Sequence, residues 1–223
     1  MIRHGVIGIT LLLVLPAAAA AQPYRGVHPP PPHKGSLELG GGVFWAGGYD
    51  AGSADANETT AGTAPLTLFV VDGRMKSGPG AAVQVGVYLG RRVSAEATFH
   101  YSRPILQARV TSDFESAPDV NVDGTVTSYL MAGSLLYHFG RGRLVPFVSG
   151  GGGYLRQLNE SNADLLTSPE IHGGGGVKYW MGRGSRRFGL RLEALASARN
   201  KGIAFEQKRR IVPSFVAGIA YLF

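Results

Sequence analysis

The connections in this chain constrain it most. Eight runs between residues 36 and 223 alternate apolar and polar residues with a period of two, and the stretches joining them are by turns short and long. The third run shows the pattern best: Val93, Ala95, Ala97, Phe99 and Tyr101 share one face, and Ser94, Glu96, Thr98, His100 and Ser102 share the other. A period of two over about ten residues describes a strand whose faces meet different surroundings. The first run sets Leu37, Leu39, Val43 and Trp45 against Glu38, Gly40, Gly42 and Phe44. The others lie around residues 81–89, 128–139, 144–155, 171–181, 188–197 and 214–223, the fifth being too glycine-rich for its facing to be read.

Runs two and three are joined by Gly90-Arg91-Arg92, four and five by 140–143, and six and seven by 182–187. The remaining connections, 47–80, 103–124, 156–168 and 198–212, are long and polar. Strict short–long alternation is the habit of a transmembrane barrel, with tight periplasmic turns at one end and longer outer loops at the other. A soluble sandwich has no reason to sort its loops by end. In hydrocarbon an unpaired backbone group costs several kcal/mol, so strands cross only as a closed sheet. The expected fold is therefore all-β, an eight-stranded antiparallel transmembrane β-barrel with four longer outer loops. Apolar faces look at lipid and polar faces inward. Trp45, Tyr101, Tyr137, Phe139, Tyr179, Phe188, Tyr221 and Phe223 stand near strand ends, where interfacial aromatic girdles form.

The first residues read as an address. Arg3 and His4 precede an apolar run over 6–15, Pro16 interrupts it, and Ala19-Ala20-Ala21 before Gln22 is a small-residue cleavage site. About ten apolar residues are too few to cross ~30 Å of hydrocarbon as a helix. The expected organisation is a signal peptide over 1–21, a proline-rich periplasmic lead-in over 22–35 and the barrel over 36–223, placed in the bacterial outer membrane after export. Pro29 to Pro32 make the lead-in extended. The chain has no cysteine and a formal net charge of +7, with Arg3 belonging to the leader. A basic exported chain points to anionic surfaces such as lipopolysaccharide phosphates. No nucleic-acid motif is present to support a nucleic-acid partner.

The leader, the amphipathic runs, the stretch Val145-Pro146-Phe147-Val148-Ser149-Gly150-Gly151-Gly152 and the ending 215–223 resemble the outer-membrane β-barrel families typified by OmpA's membrane domain and OmpX. Ile219, Tyr221 and Phe223 are similar to the terminal signal read by the barrel assembly machinery, which the resemblance implies as a partner beside outer-membrane lipids. The chain stops there, so no cell-wall-binding domain is expected to follow.

An eight-stranded barrel has an interior that side chains just fill. Glu38, Glu96 and Glu193 are expected to meet Lys178 and Arg191 inside, since a buried charge needs a partner. The function expected is non-enzymatic and without cofactor or metal: a filled barrel presenting its outer loops to an unknown surface ligand or supporting envelope integrity. The rival is a lipid A-modifying enzyme. His100-Tyr101-Ser102 with Glu115 resembles the His-x-Ser of PagL-like lipid A deacylases, although Arg103 stands where that family has Asn and both residues fall on the polar face. A small pore is a third reading. Lys201 with Lys208, Arg209 and Arg210 forms a basic cluster suited to anionic lipid headgroups. Asp113, Glu115, Asp119 and Asp123 match no calcium-loop spacing, and His28 and His33 flank the prolines. Two four-glycine runs, 150–153 and 173–176, lie symmetrically about residue 163, within the outer loop between the fifth and sixth strands; in an antiparallel hairpin they are expected roughly opposite each other, for curvature or close packing, with a lipid or partner groove as the lesser reading.

Overall fold

The computed structural model describes residues 32–58, 66–111, 118–140, 142–159, 165–181, 187–199 and 209–223. The leader and most of the lead-in lie outside them. Eight strands close a ring: β1 (Leu37–Ala46), β4 (Gly78–Tyr88), β5 (Val93–Ser102), β7 (Val120–His138), β8 (Leu144–Asn159), β9 (Leu165–Met181), β10 (Arg187–Arg199) and β11 (Arg210–Leu222). Every pairing is antiparallel, and β1 with β11 makes the seam, from Glu38 opposite Leu222 to Ala46 opposite Ser214. Both ends of the ring's chain lie at the lower end, where the Phe223 amide donates to the Leu37 carbonyl at 2.8 Å.

Facing follows the period of two throughout. Val43, Val85, Met131, Leu135, Leu192, Phe215 and Ile219 stand exposed on the outside, Met131 at 67%. Glu38, Gln84, Glu96, His138, Lys178, Arg191 and Glu193 are buried in the lumen. The fifth run now has a facing too. Val145, Phe147, Leu155 and Gln157 point inward, and Leu144, Val148 and Tyr154 outward.

Two of the four long connections are not loops. Residues 47–80 hold β2 (Tyr49–Glu58) and β3 (Leu66–Met75), and 103–124 hold β6 (Ile105–Thr111) with the upper part of β7. Their order, β2-β3-β6-β7, repeats the order of the wall strands beneath them, β1-β4-β5-β7. Each of β1–β2, β3–β4 and β5–β6 is one rising or falling strand broken by a two-residue joint, at Gly47-Gly48, Lys76-Ser77 and Arg103-Pro104. Pro104 lacks the amide a ladder needs, which ends β5 there. Hydrogen bonds cross the break: Lys76 N–H to Ile105 O at 2.8 Å and Val126 N–H to Pro104 O at 3.0 Å. The β5–β7 pairing stops at Ser102–Ser128 and the β6–β7 pairing begins at Ile105–Thr125, so β7 serves both tiers without a slip.

The glycine runs also differ from the reading above. All eight glycines lie in strands β8 and β9, and the pairing staggers the runs, with Gly150 opposite Gly173 and Gly153 opposite Glu170. No helix among the described residues is long and apolar enough to cross a membrane.

Candidate functional site: the packed lumen and the upper sheet

The lumen is built in layers because every second residue of eight strands points into it. At the bottom Tyr88, Val145, Trp180, Ala220 and Leu222 form an apolar plug. The Arg187 guanidinium lies 5.5 Å from the Trp180 ring centre. Trp180 leaves no room for a side chain at the neighbouring Gly189, where a Cβ would come within 2.7 Å of the indole.

Above the plug lies an ionic layer. Lys178 Nζ donates to both Glu38 oxygens at 2.6 and 2.8 Å. Arg191 grips Glu96 in a two-point fork at 2.6 and 2.9 Å and donates to Glu193 at 2.6 Å. Such bidentate charged bonds are the strong ones. Glu38 and Arg191 are each only 2% exposed. Three carboxylates face two cations, and hydroxyls serve the surplus charge: Tyr88 donates to Glu38 at 3.0 Å and Ser149 to Glu193 at 2.8 Å. Phe147 lies beneath both cations, 5.4 Å from Lys178 Nζ and 5.1 Å from the Arg191 guanidinium carbon. The five residues that the sequence reading grouped are thus in one connected cluster.

The next layers contain features that reading missed. Phe44 stacks on His100 at 4.3 Å, packed with Ala82 and Val216. Above them Glu170 accepts from Arg199 at 2.7 Å and from Ser197 at 3.2 Å, with His172 at 3.7 Å. Glu170 and Arg199 lie beyond the strand limits that the alternation marks, so the alternation assigns neither an inward face. Met75, Ala51, Val126 and Val212 bury the top. The voids between these layers are about 20 Å³ each, and about 10 Å³ beside the lower plug. A single water needs about 10–15 Å³.

The other candidate residues separate. His100 and Ser102 are both buried on the lumen side, His100 held against Phe44, so neither meets a lipid at the outer wall. Glu115 lies outside the described residues. Ile219, Tyr221 and Phe223 look outward, with Tyr221 edge-on to Phe223 at 4.6 Å. Of the basic cluster, Lys201 and Lys208 lie outside the described residues and Arg209 is exposed. Arg210 is engaged in the fold, donating to the Asp50 and Ala51 carbonyls at 2.7 and 3.2 Å and lying over Tyr49. Asp119 pairs with Arg109 at 2.7 Å and Asp123 with Lys76 at 3.4 Å, while Asp113 and His28 lie outside the described residues. Among the described residues no three His, Asp or Glu side chains are gathered as metal ligands.

Polarity inverts at the three joints. Below them the outside is apolar and the inside ionic. Above them β7 keeps its alternation, so Asp123 and Asn121 continue the outer face of Tyr129 and Met131, and Val122 and Val120 continue the inner one. Their cross-strand partners agree: Gln107 and Arg74 lie on the outer side, Ala108 and Val71 on the inner. On the strands that cross the joints, the apolar outer face therefore gives way to polar residues above Trp45, Tyr101 and Tyr129, as the upper edge of a hydrocarbon belt would require.

That belt, the closed ring of eight and the ion-paired interior decide the architecture. The chain has the fold of the small outer-membrane β-barrels. The barrel is similar to the crystal structure of OprG from Pseudomonas aeruginosa, with 14% sequence identity over 86% of this chain and 97% of that one and a TM-score of 0.55. Ail, the attachment invasion locus protein of Yersinia pestis, aligns over 85% of this chain and 99% of its own at 12% identity and a TM-score of 0.46. Neisserial surface protein A aligns over 85% and 96% at 9% identity and 0.48. No family model matches the sequence, and neither does any curated protein.

Proposed function

We propose that this barrel is a non-enzymatic protein of the bacterial outer membrane that carries no solute through its lumen and holds its upper sheet out as a platform at the cell surface. The layered lumen carries this reading: among the described residues ion pairs fill its middle, apolar side chains close it below, and the voids between these layers are of single-water size. The upper tier gives the platform its substance, since paired strands replace two of the expected loops.

Planar-bilayer recording tests the lumen. The refolded barrel is expected to show no steady channel, and regular large conductance steps would overturn the reading. The sidedness is tested by the absence of native cysteine. An Asp55→Cys variant, at an exposed site on β2, should react with a membrane-impermeant maleimide on intact cells. Labelling only after the outer membrane is opened would place the platform on the wrong side.

A lipid A hydrolase would need its nucleophile at the lipid face, and Ser102 is buried within. Lipid A mass spectra are expected to be identical for cells lacking the protein, cells with the native chain and cells with Ser102→Ala. A mass loss of one acyl chain that depends on Ser102 would restore the enzymatic reading.

A further inference from the structure

Above the joints the outer side of the upper sheet is hollowed into a basin of about 1090 Å³, lined by Gly48, Asp50, Asp72, Arg74 and Ser77 with the cross-strand neighbours Gln107, Arg109 and Asn121. Its position is set by β7: the basin lies on the same side as the lipid-facing residues Tyr129 and Met131, immediately above the aromatic edge at Trp45 and Tyr101. It therefore opens sideways over the membrane surface, not upward into bulk water.

Its chemistry is nearly neutral. The register lays Asp50, Arg74, Gln107 and Asp123 in one row and Ser53, Asp72, Arg109 and Asn121 in the next. The cations Arg109 and Lys76 are tied to Asp119 and Asp123. Asp50 accepts from Gly52 N–H at 2.8 Å at a register shift within β2, where Gly52 takes a φ of 85°. Among the described residues, Asp72, Arg74, Gln107 and Asn121 make no side-chain hydrogen bond or ion pair. One carboxylate, one guanidinium and two amides, side by side, can each give or accept paired hydrogen bonds. A phosphate site would carry unpaired cations in excess. A protein interface would offer an exposed apolar or aromatic anchor; of the lining residues, Met75 is buried and Tyr49 is half-buried beneath the Arg210 guanidinium. Paired donors and acceptors of balanced charge suit vicinal hydroxyls.

We propose that the basin holds the uncharged sugar head of a glycolipid standing in the same membrane leaflet. This rests on the platform reading above and names its ligand class. The volume suits a head of a few rings, and the sideways opening favours a ligand already anchored in the bilayer, whose head is present at high effective concentration.

The test uses the full barrel refolded into phosphatidylcholine vesicles containing galactosyl-, lactosyl- and maltosyl-headed lipids together with phosphatidylglycerol. The protein is extracted in mild detergent and its co-purifying lipids are weighed by mass spectrometry. At least one sugar-headed lipid should be enriched fivefold or more over its bulk ratio, and phosphatidylglycerol should not. The enrichment should vanish in Asp72→Ala/Arg74→Ala and persist in Arg156→Ala, an exposed outer position on β8 beyond the basin. Heat-modifiable gel mobility verifies that each variant is folded. No enrichment, equal enrichment of phosphatidylglycerol, or enrichment unchanged in the folded double variant would overturn the proposal. Displacement by micromolar free sugar would assign the basin to a soluble glycan and overturn the membrane source. Failure here with Asp55→Cys still labelled on intact cells removes the ligand and leaves the platform, whereas loss of labelling removes the platform itself.

Discussion

Replacing Arg191 with leucine is expected to lower the unfolding free energy of the barrel in lipid vesicles by about 3–5 kcal/mol, the range for stripping one partner from a buried ion pair. The magnitude follows from what Arg191 leaves behind. Glu96 loses both of its fork bonds, Glu193 loses its 2.6 Å donor, and Glu38 loses a second cation at 4.0 Å. Ser149 would still serve Glu193 and Lys178 would still serve Glu38, so Glu96 is the orphan that matters most. The companion experiment is Arg191→Leu with Glu96→Gln, which removes the orphaned charge and should recover well over half of the loss. Equilibrium urea titrations of the folded fraction, read by gel mobility without heating, measure both. If the single variant were as stable as the native barrel, the ionic layer would not be holding the lumen together.

The second large effect is expected one residue away from a silent one. A Cβ at Gly151 would be driven into the Gly133 carbonyl oxygen and within 2.8 Å of the Ser134 Cα, both backbone of the adjacent strand, which cannot step aside. Gly151→Val should therefore cost about 3 kcal/mol or more, at or above the upper end of overpacking penalties, and should depress the yield of folded barrel. A Cβ at Gly150 meets nothing within 4 Å, because that residue faces the outer wall. Gly150→Val should stay within about 0.5 kcal/mol of native, as surface changes do. Gly174 repeats the Gly151 case against the Ala194 carbonyl and the Leu195 Cα. Equal tolerance at 150 and 151 would show that the glycine runs serve something other than strand-to-strand approach.

How far the architecture could be read from residues alone depended on where each strand sits. Between the aromatic belts the two faces of a strand meet lipid and a packed interior, so alternation is strong and marks a side for Glu96, Lys178 and Arg191 in the sequence itself. In β8 the alternation vanishes because Gly150 to Gly153 carry no side chain to mark either face, and only the pairing with β7 and β9 restores it. In β2 the run Tyr-Asp-Ala-Gly-Ser-Ala-Asp-Ala-Asn-Glu reads as a polar connection. Above the membrane a strand's outer face meets water, and polar content no longer separates strand from loop. Glu170 and Arg199 were missed for a related reason, since β9 and β10 run further up than their apolar residues announce. The upper basin was not visible at all. Its four residues without side-chain partners come from three strands, two of them unrecognised, and only the register sets them side by side.

The seam between β1 and β11 has a consequence for timing. Glu38 pairs with Leu222, residues almost at opposite ends of the ring's chain, and closing so long a loop is slow because its entropy is spent before its contacts form. Until β11 is made and delivered, β1 has an open edge, and its outer residues Leu37, Leu39 and Val43 have no lipid to cover them. An exposed apolar strand edge is a template for aggregation. The seam pairing thus sets an interval, from emergence of β1 to arrival of β11, in which this barrel's first strand carries an unpaired edge.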